Sequence, residues 1–167
     1  MLFDTGNGAV FSECRTWRYV LYRQWNGDGP WMCWVMLNPS TADEETDDAT
    51  IRRCISRARG LGYGGILVCN LFAFRTAWTS EMMAAPDPVG PGNDVMILNA
   101  AWRSEIIVAA WGVHGAYRNR AREVLDLLKA TTPALWCLGT TKRGAPRHPL
   151  YVADAVELER FEVRRHG

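Results

Sequence analysis

The run WMCWVMLNPSTADEETDD, Trp31 to Asp48, decides the fold. From Trp31 to Leu37 every residue is apolar, the composition of a strand covered on both faces and therefore central in a sheet. It stops at Asn38-Pro39-Ser40 and runs into the acids Asp43, Glu44, Glu45, Asp47 and Asp48. Beyond them Ile51, Cys54, Ile55 and Ala58 recur at helical spacing, with an Asp or Thr cap ahead and Gly60 or Gly62 closing the segment. Strand, polar turn and helix in that order are the unit of an α/β domain.

Upstream, Trp17 to Trp25 mixes aromatic and β-branched residues with arginines and ends at Asn26-Gly27-Asp28-Gly29-Pro30, which predicts a strand entering a hairpin turn. Downstream, Gly65 to Phe72 predicts a second buried strand, and residues 76–93, with three prolines and two glycines, a long loop. Val95 to Trp102 suits a helix, Glu105 to Trp111 a third buried strand, and Tyr117 to Lys129 a helix with Val124, Leu125 and Leu128 on one face. Ala134 to Leu138 predicts a fourth buried strand, and VELERFEVRR an edge strand or short helix. Strands alternating with helices predict a three-layer α/β/α sandwich with a mostly parallel central sheet. The expected organisation is one domain over 1–167: a strand and hairpin at 11–30, a core at 31–151 and a C-terminal extension at 152–167.

Composition narrows the function classes. A chain of 167 residues encloses one core. A net charge of +1 argues against a protein that coats nucleic acid through a large basic field. All its basic side chains except Lys129 and Lys142 are arginines, the side chain that grips phosphate or carboxylate with a planar fork. The N-terminal MLFDTGNGAVF lacks a basic leader with a long apolar core, and no apolar run is long enough to span a membrane. Cys14, Cys33, Cys54, Cys69 and Cys137 form no C-x-x-C pair, so a reduced, cytoplasmic protein is expected, with no metal centre, iron–sulfur cluster or other cofactor.

In a parallel sheet, ligands gather beyond the carboxyl ends of the strands. The four predicted strands exit into Asn38-Pro39-Ser40, Asn70 to Arg75, Gly112-Val113-His114-Gly115, and Gly139 to Tyr151. Those exits carry amides, hydroxyls, two histidines and four basic side chains.

MLNPS, a strand ending in Asn (VCNLFAFR), IIVAAWG and a late RHPLY together resemble, in order and spacing, the uracil-DNA glycosylase superfamily. Its motifs are G-x-[DN]-P, a strand-ending Asn, I-x-x-x-G and H-P-[SGL]. The run from MLNPSTAD to TIRRC also resembles a family of short bacterial and phage proteins classed as a domain of unknown function. The superfamily resemblance implies a uracil-DNA-glycosylase-like fold and base excision: hydrolysis of the N-glycosidic bond of a damaged or modified base, without a cofactor. By that resemblance Asn38 would hold the attacking water, His148 would donate to the departing base and Asn70 would read its polar edge. Phe72 or Tyr22 would stack on the extruded base, with Ser40, Asp43, Arg75 and His114 in support. Leu150 would wedge the duplex while Lys142, Arg143 and Arg147 grip phosphates.

The sequence departs from the motifs at two positions. Met36 stands where the superfamily has glycine, and Asn38 is an amide that orients water but cannot take its proton. The acidic run is open to several readings: a solvated helix start, a source of the missing base in Asp43 or Asp48, an anchor for Arg52, Arg53 or Arg75, or a cation site of irregular spacing. Expected partners are single- or double-stranded DNA or a nucleotide-like ligand, bound by a monomer off the membrane. The alternatives to excision are a non-catalytic module that recognises modified DNA and a base-modifying enzyme reusing the same pocket.

Overall fold

The structure is a computed structural model, and it describes residues 5–132 and 134–163. The first residues of MLFDTGNGAVF and the last two of VELERFEVRR lie outside the described residues. The strands are β1 (Gly8–Phe11), β2 (Arg18–Gln24), β3 (Trp31–Met36), β4 (Gly65–Asn70), β5 (Ile106–Ala109), β6 (Trp136–Cys137) and β7 (Glu159–Arg160). The helices are α1 (Ala49–Gly60), α2 (Thr79–Ala84), α3 (Asn93–Arg103) and α4 (Arg120–Leu128).

All seven strands form one sheet in the order β1-β2-β4-β3-β5-β6-β7. Strands β4, β3, β5 and β6 run parallel, whereas β1, β2 and β7 join antiparallel. The fold is therefore mixed α/β, and the expectation of a mostly parallel sheet is corrected. The unbroken apolar strands β3, β4 and β5 run parallel, whereas β2, also buried but carrying Arg18 and Arg23, joins β4 antiparallel.

The predicted hairpin at 26–30 is also corrected. Strand β4 lies between β2 and β3, so the turn carries the chain across the end of β4. The Trp25 and Asn26 amides both donate to the Gly64 carbonyl, and the Gly64 amide donates to the Pro30 carbonyl at 2.8 Å. A Cβ on Gly64 would stand 2.4 Å from the Asn26 carbonyl oxygen, so only glycine lets the two segments cross.

Alternation sorts each central strand between two cores. Cys33 and Val35, Leu67 and Cys69, and Ile107 and Ala109 point to one face, where Met82 of α2, Met96 and Ile97 of α3, and Val124 and Leu128 of α4 cover them. Met32 and Trp34, Ile66 and Val68, and Val108 point to the other face, under Ile51, Cys54 and Ala58 of α1. Helix α1 starts at the Asp48 cap, whose carboxylate accepts from the Ile51 amide at 2.9 Å. The predicted loop 76–93 contains α2, a short helix the prolines had obscured. Cys33, Cys54, Cys69 and Cys137 are buried, and Cys14 is exposed.

Candidate functional site

The turn after β3 is held from behind. The Asn38 side-chain amide donates to the Thr76 carbonyl at 2.9 Å and to the Pro39 carbonyl at 3.2 Å. The Arg75 guanidinium donates to the carbonyls of Ser40 and Thr41. With the Asn38 Nδ2 hydrogens committed to carbonyls, its Oδ1 is the side left to accept from a ligand or a water.

At the end of β4, Asn70 is 1% exposed. Its Oδ1 accepts from Arg18 Nη2 at 3.4 Å, and its Nδ2 has no hydrogen-bond partner among the described residues. Arg18 is itself buried, donates through Nη1 to the Ala42 carbonyl, and leaves Nε unpartnered. No carboxylate lies within ion-pairing distance of Arg18 among the described residues, and burial lowers its pKa to about 10. The buried floor thus presents donors in want of an acceptor.

After β6 the chain folds into a small hairpin. Thr140 and Pro146 pair antiparallel, the Thr141 amide donates to the Ala145 carbonyl, and Gly144 takes φ +83° at its tip. The hairpin is tied to the exit of β5 by a 2.8 Å bond from the Gly112 amide to the Pro146 carbonyl. It delivers His148, whose Nδ1 accepts from the Leu150 amide at 3.2 Å. That bond places the imidazole proton on Nε2. Burial holds His148 below its ordinary pKa of 6.5, against a smaller upward pull from Asp48, so the ring is a neutral Nε2 donor at pH 7.

These exits enclose a recess of about 70 Å³ lined by Arg18, Asn38, Asp48, Asn70 and His148 with Met36 and Ile51. It adjoins an outer cleft of about 520 Å³, and Asn38, Ser40, Thr50 and His148 line both. The predicted residues Asn38, Ser40, Asn70 and His148 are thereby brought together, and His114, Arg147 and Leu150 line the outer cleft. Lys142 and Arg143 stand exposed on the hairpin without lining that cleft, and Arg75 braces the Asn38 turn without entering it.

Three further predicted residues are also away from the cleft. Phe72 is fully buried against Tyr117, and Tyr22 is 9% exposed in the same core, so neither face is open to a base. Asp43 caps its own turn by accepting from the Glu45 and Thr46 amides, which lowers its pKa. The aromatic side chains at the cleft are instead Trp111 and Tyr151, the latter 77% exposed with its ring 5.5 Å from that of His148.

The acidic run divides its work. Glu44 grips Arg15 through two hydrogen bonds, and Asp47 pairs at 2.8 Å with Arg23, which is 3% exposed. Asp48 alone of the run lines the recess while capping α1. Arg18, which the sequence did not single out, heads β2, RYVLYRQ, and shares that buried strand with Arg23. Among the described residues no group of three His, Cys, Asp or Glu side chains is placed to hold a metal ion, and no helix is long and apolar enough to cross a membrane.

A family model described as a protein of unknown function, DUF1643, matches residues 18–150. The chain belongs to the DUF1643 family. No curated protein and no solved structure matches it. The DUF1643 match begins at Arg18 on the recess floor and ends at Leu150 in the cleft wall, so it contains every recess residue.

Proposed function

We propose that this DUF1643 chain binds a nucleobase at the carboxyl ends of its parallel strands and hydrolyses the base's N-glycosidic bond. The observation that carries the reading is the convergence of Asn38, Asn70 and His148, far apart in sequence, on one recess opening into a cleft of nucleotide size. This is the arrangement the resemblance to the uracil-DNA glycosylase superfamily implies.

The chemistry assigns each group a task. Asn38 Oδ1 orients a water toward the anomeric carbon. Asp48, the carboxylate of the recess, takes the water's proton, a step the Asn38 amide cannot perform. The glycosidic electron pair leaves with the base, and the neutral His148 donates from Nε2 to the base oxygen where charge collects. Asn70 and Arg18 supply donors at the floor.

Oligonucleotides carrying uracil, hypoxanthine or phage-type modified bases test the reading by alkaline cleavage at abasic sites. Abasic product is expected with the native chain and a loss of about 100-fold or more with Asp48→Asn or His148→Gln. Absence of product from every substrate overturns hydrolysis. One feature favours a second reading, a non-catalytic base-recognition module: Asn38 stands where a carboxylate would serve as base. Binding to modified DNA without turnover, weakened by Asn38→Ala, identifies that module.

A further inference from the structure

The outer cleft does not end at His148. A second depression of about 350 Å³ adjoins it, and Trp111, Gly112 and Val113 line both, so one track crosses the exit of β5. Arg147 and His114 line its first half, and Arg122 and Arg143 its second. No Asp or Glu side chain lines either half among the described residues. The contrast is local, because the depression beside α1 is lined by Asp154 and Glu157 and the inner recess by Asp48.

The track also carries open aromatic surface. Tyr151 is 77% exposed beside His148, and Trp78, 66% exposed, lies in sequence between the cleft-lining Ala77 and Thr79. Leu150, by contrast, is half-buried in the cleft wall rather than projecting as a wedge.

We infer that the track binds single-stranded nucleic acid, with one nucleotide entering the cleft and its neighbours' phosphates running over Arg147, Arg143 and Arg122 toward α4. The inference rests on the base-binding reading of the cleft and names the form in which the base is delivered. A carboxylate-free, arginine-lined groove suits a polyanionic backbone, and a free aromatic face beside it suits a base whose own face is unpaired. In a duplex those faces are stacked within the helix, and Leu150, the residue the superfamily resemblance makes a wedge, is half-buried in the cleft wall.

Fluorescence anisotropy of labelled (dT)12, alone and annealed to (dA)12, tests this with the full chain. The single strand is expected to bind about tenfold or more tighter than the duplex, and Tyr151→Ala to weaken it about fivefold or more at an unchanged unfolding midpoint. Arg143→Ala and Arg122→Ala are each expected to reduce the salt slope of binding by about one. Equal or tighter duplex binding, or single-strand binding indifferent to Tyr151→Ala, overturns the inference. If (dT)12 fails to bind while free nucleosides raise the unfolding midpoint in an Asn70-dependent way, strand binding is refuted and the base-binding reading stands.

Discussion

His148 shows how a single residue acquires its chemistry from its surroundings. Its Nδ1 is fixed by the Leu150 amide and its ring is withdrawn from solvent, so the neutral form with a proton on Nε2 is favoured. Because the folded pKa is depressed, the unfolded chain binds more protons below about pH 6.5, and stability falls as pH falls through that window. Thermal unfolding measured from pH 7.5 to 5 should show this decline, and His148→Gln should flatten it. A native chain with no His148-dependent slope would contradict the assignment. The aromatic residues make a second comparison. Phe72→Ala should cost about 3–5 kcal/mol in denaturant titration because it empties a fully buried position, whereas Tyr151→Ala should leave the midpoint in place.

At the level of the element, the start of α1 serves both fold and site. Asp48 caps the helix with one carboxylate oxygen and lines the recess. Asp48→Ala should lose about 1 kcal/mol of stability through the missing cap. Asp48→Asn, which caps as well, should keep that stability and, if Asp48 is the base, still lose turnover. Equal turnover in Asp48→Asn and the native chain would remove it from the mechanism. Elsewhere, element type was legible where composition was extreme: the apolar runs became β3, β4 and β5, and the spacing from Ile51 became α1. It failed at β1, an edge strand whose short GAVF run follows Gly6 and Asn7, and at α2, whose six residues lie among loop-forming prolines. Local turn chemistry at 26–30 was legible, but which strand lay beside it was not.

Across the whole molecule, α1 holds the segment that follows the cleft. Arg53 donates to the Val152 carbonyl and pairs with Asp154 at 2.7 Å, and Arg57 donates to the carbonyls of Ala153 and Val156. These bonds span about a hundred residues of sequence and fix the chain just after Tyr151. Arg57→Ala should therefore raise amide exchange in 152–158 while leaving β3 and β4 protected, as read by hydrogen-exchange mass spectrometry. Unchanged exchange there would show the segment is held by packing alone.

The sequence by itself determined the composition of the layers. Unbroken apolar runs must be buried on both faces, helical spacing must cover them, and Asn38 and Asn70 stood out because they sit at the ends of such segments. His148, in the loop beyond the last of them, stood out through the superfamily resemblance. Only the tertiary structure decided strand order and which charges meet. It set β4 between β2 and β3, turned Phe72 and Tyr22 into the core, gave Asp47 to Arg23, and left Arg18 at the recess floor with its Nε unpartnered. The physical reason is that periodicity encodes how deeply a residue is buried, whereas neighbours distant along the chain are selected by how whole elements pack.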